Sequence, residues 1–466
     1  MKTGKIIVRI VAFLLVLAVA ICLVPGRLFG VDSVANYLRA KGYYTERKGS
    51  LDAVFVGASN VHQFWQPAVA WQEKGIAVCN LSFSSLPIAG FPYLITEARK
   101  TQPDALYIIN LSTFKSKKLL DKLENYHTVV DYMPLTLEKV RFVRDIGRRS
   151  GFTFGQQLEL LFPFIRFHSR WSSLESWSYG ARPQRYKNSS TGIYYGHKVT
   201  DVTDQYALYD TRVEPEGGAL EVFGELLDYL DREHVNALFV KVPQAAREEY
   251  QGHLNVLEDM LTARGYPCLD LLEEYEAYGI NTHRDFYNYN HTNVRGALKM
   301  TRYMADYLID NYHFSDKRGQ KEYADWDEAA AGYDRMIDSW ILPFERQTIL
   351  WQGMSAPALQ KPAVDPQTVH LAWSPSDAAD GYEIYRKSSR ENGGKWVLAA
   401  TVSGDTLSYD DVGLARNTRY TYAVAPFANV SGQRAYGNYS IEGVSCRTPK
   451  QRAAGAEGDN PGGDGN

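Results

Sequence analysis

Two stretches of the chain carry residue types that can do chemistry together. The first is Gly57-Ala58-Ser59-Asn60, directly after the apolar run from Asp52 to Val56. A serine on a glycine-containing turn that leaves a buried strand stands at the carboxyl end of a sheet, where open α/β proteins bind ligands. Taken alone, such a serine caps the following helix or closes a turn as readily. The second is Asp285-Phe286-Tyr287-Asn288-Tyr289-Asn290-His291-Thr292-Asn293-Val294-Arg295-Gly296. His291, just ahead of a C-terminal helix, could reach Ser59 and accept its proton, which turns a weak hydroxyl into a nucleophile. A lone histidine at a helix start is as readily structural. The pairing of the two stretches is what points to an activated serine.

Other chemistry is thinly represented. Arg166, His168 and Arg170 in LLFPFIRFHSRW could hold an anionic polymer or form a solvated basic face, and His197 with Lys198 has the same two readings. There is no phosphate-binding glycine loop and no His-Glu-x-x-His cluster, so neither a cofactor nor a metal is expected. Cys22, Cys79, Cys268 and Cys446 form no CxxC pair, and no disulfide framework is expected from them. The formal net charge of -3, without a basic stripe interleaved with aromatics, argues against nucleic acid as a partner. The 32 tyrosines offer flat apolar faces with a hydroxyl, which suits sugars, though many such residues simply sit half-buried.

The elements that must position Ser59 and His291 are legible in the apolar periodicity. Asp52–Val56, Ile76–Phe83, Ala105–Leu111 and Ala237–Val242 read as strands; Ile88–Lys100, Leu220–Arg232, Glu248–Arg264 and Val294–Asn311 read as helices. Apolar strands alternating with amphipathic helices predict an α/β domain with a parallel sheet flanked by helices, over residues 45–312. An aromatic-rich insertion at about 115–200 breaks the rhythm, as a cleft wall or an ordinary helical insertion. A polar helical connector is expected over 313–353, and from 354 to 449 short strand candidates (VHLAW, GYEIYRKS, KWVLAATV, LSYDD, RYTYAVAPF) alternate with turns, which predicts an all-β sandwich. Residues 450–466 read as a disordered tail.

The first 30 residues carry a targeting signal. Lys2, Lys5 and Arg9 precede the uncharged run Ile10–Val24, which predicts a single membrane anchor with its N-terminus in the cytoplasm and the bulk of the chain extracytoplasmic. A cleaved signal peptide is the alternative, with Ala18 and Ala20 as an Ala-x-Ala site.

Over residues 50–312 these motifs resemble the SGNH (GDSL-like) hydrolase family. Ser59 matches that family's nucleophile and His291 its base, and HTNVRGA is similar to the last block of membrane-linked envelope members, those of D-alanyl transfer to lipoteichoic acid and of polysaccharide acetylation. The resemblance implies an oxyanion hole from the amides at Asn60 and Ser85, with Ser85 of CNLSFSS standing where the family has glycine. It places Thr113 of INLSTF at the oxyanion asparagine, with Ser112 or Asn110 available in a shifted register. Asn288 stands at the family's aspartate, and Asp285, six residues before His291, is a substitute for it. The implied activity is that of a serine esterase or O-acyltransferase on a cell-envelope glycan or acylated polymer, with a multi-pass acyltransferase as a further partner. The altered positions also fit a non-catalytic glycan-binding or scaffold protein. Trp373 and LARNTRYTYAV, with Leu414 and Tyr420 as the corner tyrosine, resemble a fibronectin type III domain.

Overall fold

The computed structural model describes residues 2–23, 34–115, 122–167, 196, 198–215, 218–245, 247–347 and 349–450. They fall into two compact units, Met1–Tyr333 and Asp334–Asn466. His168, Arg170, His197, the middle of the expected insertion and nearly all of the expected tail lie outside the described residues.

The first unit is built on a five-stranded parallel sheet, β1 (Ala53–Gly57), β2 (Val78–Ser82), β3 (Leu106–Asn110), β4 (Ala237–Lys241) and β5 (Cys268–Asp270), in the order β2-β1-β3-β4-β5. β1 to β4 are buried at every position, which is why β1, β3 and β4 read as largely apolar runs and not as alternating ones; β2 carries the buried polar residues Asn80 and Ser82. The chain order reverses between β1 and β3, and a doubly wound sheet of this order opens its ligand crevice there. One face of the sheet, with Phe55, Ile108 and Val240, packs against Phe64, Trp65, Met300 and Met304. These come from α3 (Ser59–Phe64), the residue after it, and α11 (Val294–Tyr312). On the other face Phe239 meets Phe223 of α9 (Ala219–Arg232) edge to face, ring centroids 5.8 Å apart. The same face is covered by α5 (Phe91–Arg99).

The first unit takes in α2 (Val34–Tyr44), ahead of the expected start at residue 45. It also holds α4 (Pro67–Lys74), α10 (Glu248–Arg264) and, in the described part of the insertion, α6 (Leu123–Val130), α7 (Leu137–Arg149) and α8 (Phe154–Leu161). The expected polar connector is partly core: Trp326 of α12 (Ala324–Trp340) lies 5.3 Å from Trp71, and Tyr323 stacks on the same indole at 5.6 Å. Three aromatic rings bury too much apolar surface to behave as a solvated linker.

The N-terminal segment forms α1 (Lys2–Leu23). Its described apolar side chains, Ile6 to Leu17, are exposed. Among the described residues no helix is long and apolar enough to cross a membrane. Cys79, Cys268 and Cys446 carry free thiols, and the side chain of Cys22 lies outside the described residues.

The second unit is a β-sandwich, antiparallel except where β8 lies parallel to β15. One sheet is β13-β10-β9 (Ser408–Val412, Thr368–Ala372, Ala363–Val364). The other is β12-β11-β14-β15-β8 (Val397–Ser403, Gly381–Lys387, Arg419–Val430, Gln433–Tyr436, Leu350–Trp351), with β16 (Val444–Arg447) on β14. Trp373, Tyr382, Ile384, Tyr420 and Tyr422 fill the space between them. The Tyr420 hydroxyl accepts the Ala415 amide at 2.9 Å. That closes the tyrosine corner, in which a buried hydroxyl ties a strand back to the turn before it.

Candidate active site

Ser59 is placed by the turn from β1 into α3. A Cβ on Gly57 would lie 2.5 Å from Val61 Cγ2 and 2.9 Å from Asn110 Cβ, so only glycine lets the strand end approach both the helix and β3. The hydroxyl of Ser59 then projects at the crevice between β1 and β3, where its Oγ lies 3.0 Å from Nε2 of His291, 232 residues away.

His291 sits on a two-stranded hairpin, β6 (Phe286–Asn288) with β7 (His291–Thr292), in which Asn288 and His291 are directly paired. Paired residues of an antiparallel ladder present their side chains on one face. Asn288 Oδ1 is 3.0 Å from His291 Nδ1 and also accepts the Asn290 amide at 2.9 Å. An amide oxygen only accepts, so the proton of a neutral His291 is on Nδ1. Nε2 is left with its lone pair toward Ser59, which is the tautomer a general base needs.

Asp285 does not take part. Its carboxylate pairs with Lys299 at 2.7 Å and accepts the Asn281 amide at 2.7 Å, so it anchors the base of the hairpin and does not orient the imidazole. The expectation that it substitutes for Asn288 is therefore corrected by the hairpin register.

α11 fixes both partners. Asn293 caps it, accepting the amides of Arg295 at 2.9 Å and Gly296 at 3.4 Å, while its own amide group donates to the carbonyls of Arg284 at 2.6 Å and Lys198 at 3.1 Å. A Cβ on Gly296 would lie 2.5 Å from the Asp285 carbonyl, so glycine lets the helix close against the hairpin. One and a half turns on, Thr301 Oγ1 donates to the Phe64 carbonyl at 3.2 Å and accepts the Gln66 amide at 3.0 Å. The helix that follows His291 thus holds the end of the helix that begins with Ser59. Sequence reasoning gave Asn293 no role, although an asparagine one residue before an apolar-periodic run is the ordinary N-cap signal.

The remaining expected residues divide. Asn60 follows Ser59, and its Oδ1 accepts from Asn110 Nδ2 at 2.6 Å; Asn110 Oδ1 in turn accepts the Ser112 amide at 3.0 Å. Thr113 lies one residue further along the 3-10 turn Leu111–Lys115, and its hydroxyl is buried without a hydrogen-bond partner among the described residues. The residue of β3 joined to the Ser59 neighbourhood is Asn110, not Thr113. Ser85 is exposed and adopts φ 57°, the left-handed conformation that glycine takes without cost. A Ser85→Gly variant should therefore be more stable by up to about 1 kcal/mol, read as a higher urea midpoint. An unchanged or lower midpoint would show that the turn is not strained.

A second histidine lies one turn along α3. His62 is buried and its Nδ1 is 3.0 Å from Ser82 Oγ. Burial first, then the Arg39 guanidinium and His291, hold its pKa well below the ordinary histidine range. Below about pH 6.5 the unfolded chain takes up a proton here that the folded chain refuses. Stability attributable to His62 is therefore complete above that pH and falls as the pH drops below it. His62→Gln should lose less of its urea midpoint between pH 7.5 and 5.5 than the parent chain; equal losses would assign the acid sensitivity elsewhere.

Arg166 lies 3.8 Å from the buried carboxylate of Asp131, and Lys198 sits 5.2 Å over the ring of Tyr287. A groove of about 420 Å³ lined by Tyr93, Asp145, Arg149, Glu225 and Tyr229 includes neither Ser59 nor His291. Among the described residues no group of three or more His, Cys, Asp or Glu could hold a metal ion.

No family model matches the chain. It is similar to an amylopullulanase of Thermoanaerobacterium saccharolyticum, 31% identical over 140 residues, which cover 29% of this chain and 9% of that protein. It is also similar to an amylopullulanase of Thermoanaerobacter thermohydrosulfuricus, 40% identical over 73 residues, 15% of this chain and 5% of that protein. The chain thus spans less than a tenth of the length of these curated relatives. Among solved structures it is similar to the fn3 domain of human collagen alpha-1(XX) chain, with 23% identity, 22% of this chain and 94% of that chain covered and a TM-score of 0.19. The FN5 domain of Drosophila Lar matches with 21% identity, 21% and 99% coverage and a TM-score of 0.17. The strand pairing and the tyrosine corner of the second unit make it a fibronectin type III-like sandwich.

Proposed function

We propose that the first unit is an SGNH-like serine esterase or O-acyltransferase acting on a cell-envelope glycan or related acylated polymer. The observation that carries the reading is the Ser59–His291–Asn288 relay, with both hydrogen bonds at 3.0 Å, at the carboxyl edge of a parallel sheet. Ser59 Oγ attacks the ester carbonyl as His291 Nε2 takes its proton. The tetrahedral oxyanion is held by amides near Asn60 and Ser85. The C–O bond then breaks, with His291 returning the proton to the leaving oxygen. In a second turn water or a sugar hydroxyl takes the acyl group from Ser59. The exposed apolar side chains of α1 support a membrane attachment for the N-terminus, which would hold the site outside the cytoplasm and beside a multi-pass acyltransferase.

The second reading is a glycan-binding or scaffold protein that keeps the fold without turnover. The observation in its favour is Asn288, since an amide orients an imidazole but does not stabilise its cation as a carboxylate does. Incubation of the full chain with a fluorophosphonate, read by intact mass beside Ser59→Ala, separates the two. One adduct on the parent chain and none on the variant supports catalysis; no adduct on a folded parent chain leaves the binding reading.

A further inference from the structure

Beneath the Ser59–His291 pair lies a chain of buried polar groups that neither the relay nor the oxyanion site uses. Arg39 of α2 donates from Nε to the Ser82 carbonyl at 3.1 Å and from a terminal nitrogen to Asn36 Oδ1. Ser82 Oγ meets His62 Nδ1 at 3.0 Å. Ser82 is the last residue of β2 and pairs in register with Gly57, two residues before Ser59; the next amide, of Phe83, donates to the Gly57 carbonyl at 3.2 Å. Three residues beyond Ser82 the chain reaches Ser85. His62 is on the same short helix as Ser59. One guanidinium therefore braces the strand end from which the Ser85 turn departs, and through one hydroxyl it braces the helix that carries the nucleophile.

Arg39, Ser82 and His62 are 2%, 0% and 3% exposed, so none of them can be the group that meets a substrate. We infer that Arg39 is a positioning residue of the Ser59 site, acting through Ser82 to hold the Ser59 helix and the Ser85 turn at a fixed separation. The inference rests on the acyl-transfer reading and adds to it a part of the chain outside the expected domain. α2 (Val34–Tyr44) precedes the expected start of the domain at residue 45, so this helix is part of the machinery. Burial pulls the Arg39 pKa down to about 9, which still leaves a cation at neutral pH, and a buried cation is costly unless its donors are used. Two of its donors are spent on fixing groups of α2 and β2. A donor-acceptor link of this kind sets distances in a way that apolar packing does not.

The test uses the full chain in detergent micelles, with Arg39→Lys, Arg39→Met and Ser82→Ala. Four quantities are read: the rate of fluorophosphonate capture at Ser59, kcat and KM for p-nitrophenyl acetate, and the melting temperature. Arg39→Met and Ser82→Ala should slow capture and lower kcat by about 10- to 100-fold with KM nearly unchanged, as expected when reacting groups are misplaced by a fraction of an ångström to an ångström. Arg39→Lys keeps a charged donor and should recover most of the rate. Variants that melt earlier yet react at the parental rate would overturn the inference, because Arg39 would then only stabilise the fold. If the parent chain itself is unreactive, the acyl reading falls separately. The positioning role is then judged by the ring-nitrogen resonances of His291 in histidine-labelled protein. They should move in Arg39→Met if the Ser59–His291 geometry depends on it, and unchanged resonances would overturn the inference.

Discussion

Replacing His291 by alanine should slow fluorophosphonate capture of Ser59 by about 10²- to 10⁴-fold, the usual contribution of a positioned general base. The expectation follows from the tautomer. Asn288 Oδ1 already accepts the Asn290 amide, so it is the oxygen that faces His291 Nδ1 and the ring must donate there. The Nε2 lone pair 3.0 Å from Ser59 Oγ is then the proton acceptor, and nothing else in the relay can replace it. Asn288→Asp gives the complementary result. A carboxylate keeps both hydrogen bonds and also stabilises the imidazolium that forms as Ser59 attacks, so capture at pH 8 should be faster than in the parent chain. The rising limb of the pH–rate profile should move to higher pH as the His291 pKa rises. Capture by His291→Ala at the parental rate would mean that Ser59 is not activated by this histidine and would return the site to a binding role.

How far this site could be read from sequence depended on the kind of burial each residue has. β1, β3 and β4 were legible because parallel strands are apolar at every position and glycine, proline or charge bounds them. α9 and α11 were legible because each buries one stripe. α3 was not, since five of its six residues are buried and no polar face marks its period. β5, the three residues Cys268–Asp270 after Pro267, is too short to show a pattern, although it completes the sheet. Ser59 and His291 stood out as residue types, but the choice between Asp285 and Asn288 did not follow from spacing. It was made by the register of β6 on β7, which pairs Asn288 with His291 and turns Asp285 toward Lys299. The same limit applies to Thr113 and Asn110, where three residues along the chain separate a side chain tied to Asn60 from one with no partner among the described residues. Arg39 was beyond reach altogether, because what gives it meaning is a contact with Ser82, 43 residues on.

These corrections share one physical cause. A site on an open sheet is assembled from strand ends, and residues far apart in sequence meet there only if the helix that follows one of them is docked on the helix that carries the other. In this chain the docking is done by two polar side chains: Asn293, the cap of α11, on the hairpin side, and Thr301 of α11 on the end of α3. The apolar stripe of α11, which includes Met300 and Met304, supplies adhesion but tolerates sliding. The directional bonds set the register.

Asn293→Ala should consequently be the most destabilising single change in the first unit outside its apolar core, by about 3 kcal/mol or more, read from urea unfolding. Losing the cap alone costs about 1 kcal/mol, because the Arg295 and Gly296 amides lose their acceptor at the positive end of the helix. The larger part comes from the other side of the same amide, whose nitrogen serves the carbonyls of Arg284, Lys198 and Phe286. Asn293 is 2% exposed, so water does not readily replace it; the carbonyls of Arg284 and Lys198 lose this donor at a desolvation cost, whereas that of Phe286 keeps the Thr200 amide at 2.8 Å. Asn293→Asp divides the two contributions, since a carboxylate still caps the helix but donates nothing and turns two lone pairs toward carbonyl oxygens. It should recover the cap and remain destabilised through the hairpin side. Because His291 lies two residues before Asn293, both variants should also slow Ser59 capture at temperatures where they remain folded. A loss of less than 1 kcal/mol in Asn293→Ala, with capture unchanged, would show that apolar packing alone holds α11 in place. The hairpin would then owe its register to Gly296, whose missing Cβ lets the helix close to within contact of the Asp285 carbonyl.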